Sequence, residues 1–383
     1  MAKIYLDNAA ATPIDPRVAS EIRKADKLFA NPSSYNNSGR AARKALESAR
    51  LMIARFISAH ADEIILTSSA SESNNLAVKG ISGLRRGNIV TTPIEHPSVL
   101  APIKFLNKTH EAKYVKIDPQ GGVNLKDLES KINKETILVS IMYANNEIGT
   151  IEPIIQIGKI IKKFKNKNNG WPLFHVDACQ AAGFLNMSVN ALGVDLLTFN
   201  STKIYGPKGA AILYVRRGLI LDPIIHGGEQ ERGHRAGTEN LSAIIGFAKA
   251  VSVVSKKEAG KIKKLRDYFI AGIKKSLPEI RINGPEGNKR LPNNVHVSIP
   301  HLTSEQILIE LDKYGISAGS GSACTAHSVA PSHVLAAINT PKEYLDGAVR
   351  FSLSRYTTKK DIDYTIKSLI KVVTDLRKRY NLV

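Results

Sequence analysis

The stretch Thr198-Phe199-Asn200-Ser201-Thr202-Lys203-Ile204-Tyr205-Gly206-Pro207-Lys208-Gly209 decides how this chain of 383 residues is read. An apolar run at 195–199 ends in a short polar turn carrying one lysine. After Gly-Pro-Lys-Gly a second apolar run follows at 210–215. Lys203 is thereby held between two strands. A lone lysine is ordinarily a solvated surface charge. Upstream, however, His175-Val176-Asp177-Ala178-Cys179-Gln180 sets an aspartate at the end of another apolar run. A lysine and an aspartate at the ends of neighbouring strands can grip the two ends of a pyridoxal phosphate ring, the lysine as Schiff base and the aspartate on the pyridinium nitrogen.

Outward from this segment, apolar runs recur at 63–67, 88–92, 112–117, 136–143 and 173–177, with helix-length connections between most of them. Together with 195–199 and 210–215 they predict a seven-stranded, mainly parallel sheet covered on both faces. Ligands on such sheets collect at the carboxyl ends of the strands. Ser71, His96, Asn146, Asp177 and Lys203 each come just after a predicted strand. Asp15-Pro16 reads as a helix start, with Asp15 as N-cap and Pro16 at the first position. A second helix follows Ser38-Gly39. Around 249–264 the pattern becomes a long charged helix. After it, predicted strands at 295–299 and 349–353, a helix through 307–311 and a terminal helix from Lys360 describe a smaller α+β unit.

Composition narrows the classes. No run of about 18 apolar residues occurs, and the N-terminus lacks the apolar stretch of a signal peptide, which places the protein in the cytoplasm. The two cysteines, Cys179 and Cys324, read as free thiols. With 54 Lys and Arg against 34 Asp and Glu, the formal net charge is +20. Such a charge attracts polyanions or acidic partners at long range. The lysine clusters at 162–165, 256–257 and 261–264 have helical spacing and read as solvated faces, which leaves nucleic-acid binding the weaker reading.

The residues that follow a strand also have plain readings. Ser69-Ala70-Ser71-Glu72 is either a phosphate seat at a helix N-terminus or an ordinary serine cap with a capping-box glutamate. Asn146 fits turn chemistry, and Asp177 could cap a helix beginning at Ala178. Cys324 lies in a Gly/Ser-rich stretch, 318–323 and onward, that favours an accessible thiol able to become a thiolate. Cys179, in an apolar segment, reads as packing.

Across nearly its whole length the chain resembles the cysteine desulfurases, fold type I pyridoxal phosphate enzymes of the class V aminotransferase group. The resemblance rests on eight collinear motifs. Five are Tyr5-Leu6-Asp7-Asn8-Ala9-Ala10, Asn31-Pro32-Ser33-Ser34, Ala70-Ser71-Glu72-Ser73-Asn74-Asn75, Glu95-His96 and Asn145-Asn146-Glu147-Ile148-Gly149. The others are Gly237-Thr238-Glu239-Asn240, Gly321-Ser322-Ala323-Cys324 and Arg350-Phe351-Ser352. It implies a large cofactor-binding domain, 15–250, and a smaller domain, 1–14 with 251–383, that carries the catalytic cysteine. By this resemblance Lys203, Cys324 and His96 are catalytic, His96 stacking on the ring. Ser71, Asn200, Thr202 and Thr238 would serve the phosphate, Thr238 that of a neighbouring subunit. Asn146 and Gln180 would bond the phenolic oxygen, Asp177 the ring nitrogen, and Arg350 the substrate carboxylate. No metal is implied.

The implied reaction converts L-cysteine to L-alanine and leaves the sulfur on Cys324 as a persulfide. A sulfur-acceptor protein, either an iron–sulfur scaffold or a tRNA-thiolation protein, would then take it, and the implied assembly is a homodimer. Asn200-Ser201-Thr202 departs from the family's usual Ser-Gly-His or Ser-Ala-His before the lysine. The departure bears on cofactor affinity, since asparagine and threonine still donate hydrogen bonds. Three other readings stand beside this one: a selenocysteine lyase, another transaminase-like pyridoxal phosphate enzyme, and a non-catalytic polyanion-binding scaffold.

Overall fold

The computed structural model describes residues 4–321 and 331–382. The first half runs β1 (Ile4–Tyr5), α1 (Pro16–Ala25), α2 (Asn37–Phe56), β2 (Ile64–Thr67), α3 (Ala70–Ser82), β3 (Asn88–Thr91), α4 (Pro97–Leu106), β4 (Glu111–Tyr114), α5 (Leu125–Lys131) and β5 (Thr136–Ser140). The second half runs α6 (Ile154–Lys165), β6 (Leu173–Asp177), α7 (Val189–Leu192), β7 (Leu196–Asn200), β8 (Ala211–Val215), α8 (Leu241–Ser252), α9 (Lys256–Ser276), β9 (Arg281–Ile282), β10 (Asn294–Ser298), α10 (Ser304–Lys313), β11 (Ile316–Ser317), α11 (His333–Ala337), β12 (Ala348–Ser352) and α12 (Lys359–Arg379).

Seven strands form one sheet in the order β2-β8-β7-β6-β5-β3-β4, as the apolar runs predict. Only β8 runs antiparallel to its neighbours. Strands buried on both faces must be apolar at successive positions, and here alternate residues serve two layers. Leu66, Val90, Val139, Val176, Leu197 and Phe199 join one core with α2, α6 and α8. Ile65, Ile89, Leu138, Leu173, Leu196 and Leu213 join another with α3 and α4.

A third core gathers Ile4 and Leu6 with Phe269, Val295, Val297, Leu311, Val349, Phe351 and Leu369. It surrounds the antiparallel sheet β12-β10-β9, and β1 pairs in parallel with β11 beside it. The N-terminal arm therefore packs with the chain's last third.

Local signals explain most helix starts. Asp15 accepts from Arg17 N at 2.9 Å with Pro16 at the first helical position, and Asn36 caps α2 through Gly39 N. The charged run at 249–264 is not one helix. It breaks at Val253–Ser255 between α8 and α9, because α8 is apolar and buried along most of its length whereas α9 carries the lysines.

Candidate functional site

The carboxyl ends of β3, β5, β6 and β7 open onto a cavity of about 210 Å³ lined by Ser71, His96, Asn146, Asp177, Gln180, Asn200, Lys203 and Arg350. These eight residues come from widely separated parts of the chain. The N-terminal arm closes the cavity from the side: Gln180 Nε2 donates to Ala9 O at 3.0 Å, and Lys203 Nζ donates to Ala10 O.

Lys203 reaches the cavity because residues 201–203 form a single 3₁₀ turn after β7. Residues three apart in such a turn eclipse, so Asn200 and Lys203 share a side. Ser201 turns inward, its Oγ donating to Ala210 O at 3.0 Å. Thr202 is absent from the cavity lining, and its carbonyl accepts from Thr12 N and Thr12 Oγ1. Thr238 is exposed and also lies outside the lining. Cys324 lies outside the described residues.

Asp177 ends β6 with both carboxylate oxygens engaged. Oδ1 accepts from Cys179 N at 3.0 Å, and Oδ2 accepts from Asn74 Nδ2 at 2.8 Å. The same Asn74 nitrogen reaches Ser98 Oγ at 2.8 Å, and Ser98 Oγ is 2.8 Å from His96 Nδ1. Ser98 N also donates to His96 Nδ1, at 3.1 Å. Since a backbone N–H can only donate, Nδ1 is the acceptor, and the neutral ring carries its proton on Nε2. Burial lowers the His96 pKa, with Asp177 opposing and Lys203 adding to the shift, so the neutral ring is the form at pH 7. Sequence reading assigned no part to Asn74 or Ser98. The only signal was Asn74's position one helical turn after Ser71.

Arg350 is buried on β12. Nη2 pairs with Asp7 Oδ1 at 2.8 Å and Nη1 donates to Asn146 O at 2.9 Å, while Nε is buried with no partner among the described residues. Cys179 lies beside Asp177, and burial, followed by the nearby carboxylate, raises its pKa, so it remains a thiol.

These residues fit pyridoxal phosphate. The first turn of α3 offers backbone N–H groups that no helix satisfies internally, and Ala70 and Ser71 there line the cavity. An acceptor for a ring nitrogen stands at Asp177 and an amine at Lys203. Asn200 lines the same space, where its carboxamide N–H can donate to an anionic group. Polar groups left open toward a cavity call for a polar occupant.

The comparisons with known proteins agree with this geometry. The aminotransferase class-V family model matches residues 4–365. "Cysteine desulfurase IscS" of Dictyoglomus turgidum is 45% identical over 383 residues, covering 98% of this chain and 95% of that protein. The solved structure of a "NifS-like protein" superposes with a TM-score of 0.90 at 36% identity, covering 97% of this chain and 100% of the other. "SspA in complex with cysteine" superposes with a TM-score of 0.81 at 32% identity over 93% of this chain and all of that one. The chain belongs to the class-V aminotransferase family, a pyridoxal-phosphate-dependent family, and within it to the cysteine desulfurases.

Proposed function

We propose that this protein is a cytoplasmic cysteine desulfurase that holds pyridoxal 5'-phosphate between Lys203 and Asp177 and moves the sulfur of L-cysteine onto Cys324. One observation carries the reading: Lys203, Asp177, His96, Asn200 and Arg350, contributed by distant segments, meet around one cavity. When bound, the cofactor supplies an electron sink for charge that develops at the substrate's α-carbon.

The chain's own residues do the rest. The α3 N-terminus, Ser71 and Asn200 hold the phosphate, and Asp177, fixed by Asn74 and Cys179 N, stands at the ring nitrogen. Gln180 and Asn146 face the ring's phenolic oxygen. Arg350, whose Nε has no partner among the described residues, binds the substrate carboxylate by a charge-assisted hydrogen bond. Lys203 Nζ takes the proton from the substrate α-carbon, and neutral His96 donates a hydrogen bond from Nε2 without giving up that proton. The Cys324 thiolate attacks the substrate sulfur, forming the S–S bond. The carbon–sulfur bond breaks with its electron pair left on the β-carbon, and protonation there together with return of the α-proton from Lys203 yields L-alanine. The persulfide then passes to an acceptor. That acceptor is an iron–sulfur scaffold or a tRNA-thiolation protein, and the +20 charge favours an acidic one.

The separate cores support a division into a large domain, 15–250, and a small one, 1–14 with 251–383. Two subunits form a homodimer, with Thr238 reaching the neighbouring site. Selenocysteine cleavage is not favoured by relatives that are cysteine desulfurases. The scaffold reading is not favoured by relatives that match over nearly the full length.

The test is purified protein supplied with pyridoxal phosphate and L-cysteine. Equimolar alanine and protein-bound or released sulfide are expected, together with a visible absorbance band from bound cofactor. Lys203→Ala should lose both. A variant that keeps the band and turns over cysteine would refute the central assignment.

A further inference from the structure

Glu72 presents a difficulty for a phosphate seat. It lies in the first turn of α3, one residue after Ser71, with a side chain only 9% exposed. A carboxylate there repels a phosphate dianion drawn to the same helix N-terminus. The structure resolves the conflict through Arg235, whose Nε donates to Glu72 Oε1 at 2.9 Å from a side chain itself 19% exposed. Burial alone would raise the Glu72 pKa, but hydrogen bonds from Arg235 and Ser68 outweigh it and leave the carboxylate ionised and paired.

Arg235 belongs to a segment, 229–237, that is strapped in place. Glu231 and Arg232 adopt φ of +50° and +57°, a conformation that non-glycine residues keep only where surroundings over-determine it. Those surroundings are the open edge of β2. Leu66 N donates to Glu231 Oε2 at 2.9 Å, and Ile64 O accepts from Arg50 and from Arg232. A buried Arg50–Glu231 pair at 2.6 and 2.8 Å locks the arrangement. The strap is thus bonded to the strand that leads into the phosphate turn, and Arg235 joins the turn itself. Arg235 also donates to Gly237 O at 3.2 Å.

We propose that Arg235 is a positioning residue for the cofactor phosphate, neutralising Glu72 so that the N-terminus of α3 accepts a dianion. This rests on the phosphate seat assigned above. The test uses cofactor-free protein titrated with pyridoxal phosphate and, separately, with pyridoxal, which lacks the phosphate. Arg235→Gln should weaken pyridoxal phosphate about tenfold, the factor that ~1.4 kcal/mol represents, and leave pyridoxal nearly unchanged. Glu72→Gln should tighten pyridoxal phosphate, and the double variant should regain most of the loss. Should Arg235→Gln fail to fold, the opposite sign expected of Glu72→Gln still decides the matter. Equal losses for both ligands, a double variant no better than Arg235→Gln, or weaker binding by Glu72→Gln would each overturn the proposal. Wild-type protein that holds both ligands equally would instead overturn the phosphate seat, and the proposal with it.

Discussion

The proposed mechanism gives the transferred sulfur to Cys324 and none to Cys179, whose environment sets its protonation. Cys179 is kept protonated by burial and by the carboxylate next to it, so it is a poor nucleophile. Cys324→Ser should therefore still perturb the cofactor's visible spectrum on adding cysteine but form no sulfide, whereas Cys179→Ser should retain activity within about twofold. Equal loss in both would reverse the assignment. A carboxyl group beside the site makes the same point in its response to pH. Burial pushes Glu95 up to about 8 from an ordinary 4.5, although Met142 N and Thr92 Oγ1 both donate to its Oε1. The folded state thus holds a proton that the unfolded chain has released. The stability this contributes is complete below 4.5 and is lost as pH rises through 8. Glu95→Gln keeps the Oε1 acceptor without titrating. Its stability relative to wild type should climb across pH 5 to 8 by up to ~1.4 kcal/mol per pH unit. A pH-independent difference in denaturant midpoints would show that Glu95 is charged in the fold.

Among the elements, β2 carries more than its four residues suggest. It is an edge strand, and its outward backbone groups are met by Arg50, Glu231 and Arg232 rather than by another strand. Covering an edge in this way blocks pairing with other chains and fixes the turn that follows. Glu231→Ala would leave Arg50 only the half-exposed Glu47 as counter-charge and Leu66 N–H without an acceptor, which should cost about 3 kcal/mol in chemical denaturation. A loss below about 1 kcal/mol would mean that the pair adds little beyond packing. None of this was legible in the sequence, because the partners are 165 and 181 residues apart and meet only through the fold. Six of the seven strands were legible because burial on both faces demands apolar runs; the edge strand β4, Glu-Ala-Lys-Tyr, is largely exposed yet joins the same sheet. Most cavity-lining positions were legible too, since polar residues that end such runs sit at the carboxyl edge. Thr202 shows where the reading stops. Only the 3₁₀ turn determines that Asn200 and Lys203 share a side and that Thr202 does not line the cavity. Asn74 and Ser98 meet through the packing of α3 on α4, which no local pattern encodes.

At the scale of the whole molecule, several surfaces are poorly suited to a lone chain in water. Phe29 and Tyr35 are 88% and 91% exposed within one short segment between α1 and α2. On the opposite side of the sequence, residues 233–238 form a polar stretch with Gly233 and Gly237 at φ of +80° and +104°, and it ends at an exposed Thr238 outside its own cavity. A second subunit related by a two-fold axis would cover the aromatic residues and give Thr238 a cofactor phosphate to bind. Light scattering should accordingly give twice the chain mass, and Phe29→Asp with Tyr35→Asp should shift the equilibrium toward monomer. Thr202 does not line the cavity, so in the proposed dimer the neighbour's hydroxyl would carry more of the phosphate's hydrogen bonding. Thr238→Ala should then weaken pyridoxal phosphate by about 1 kcal/mol while leaving the dimer intact, as expected for one lost hydrogen bond. A monomer that binds cofactor with full activity would end the two-fold argument. A dimer whose Thr238→Ala variant binds cofactor unchanged would leave the assembly standing and remove only the shared site.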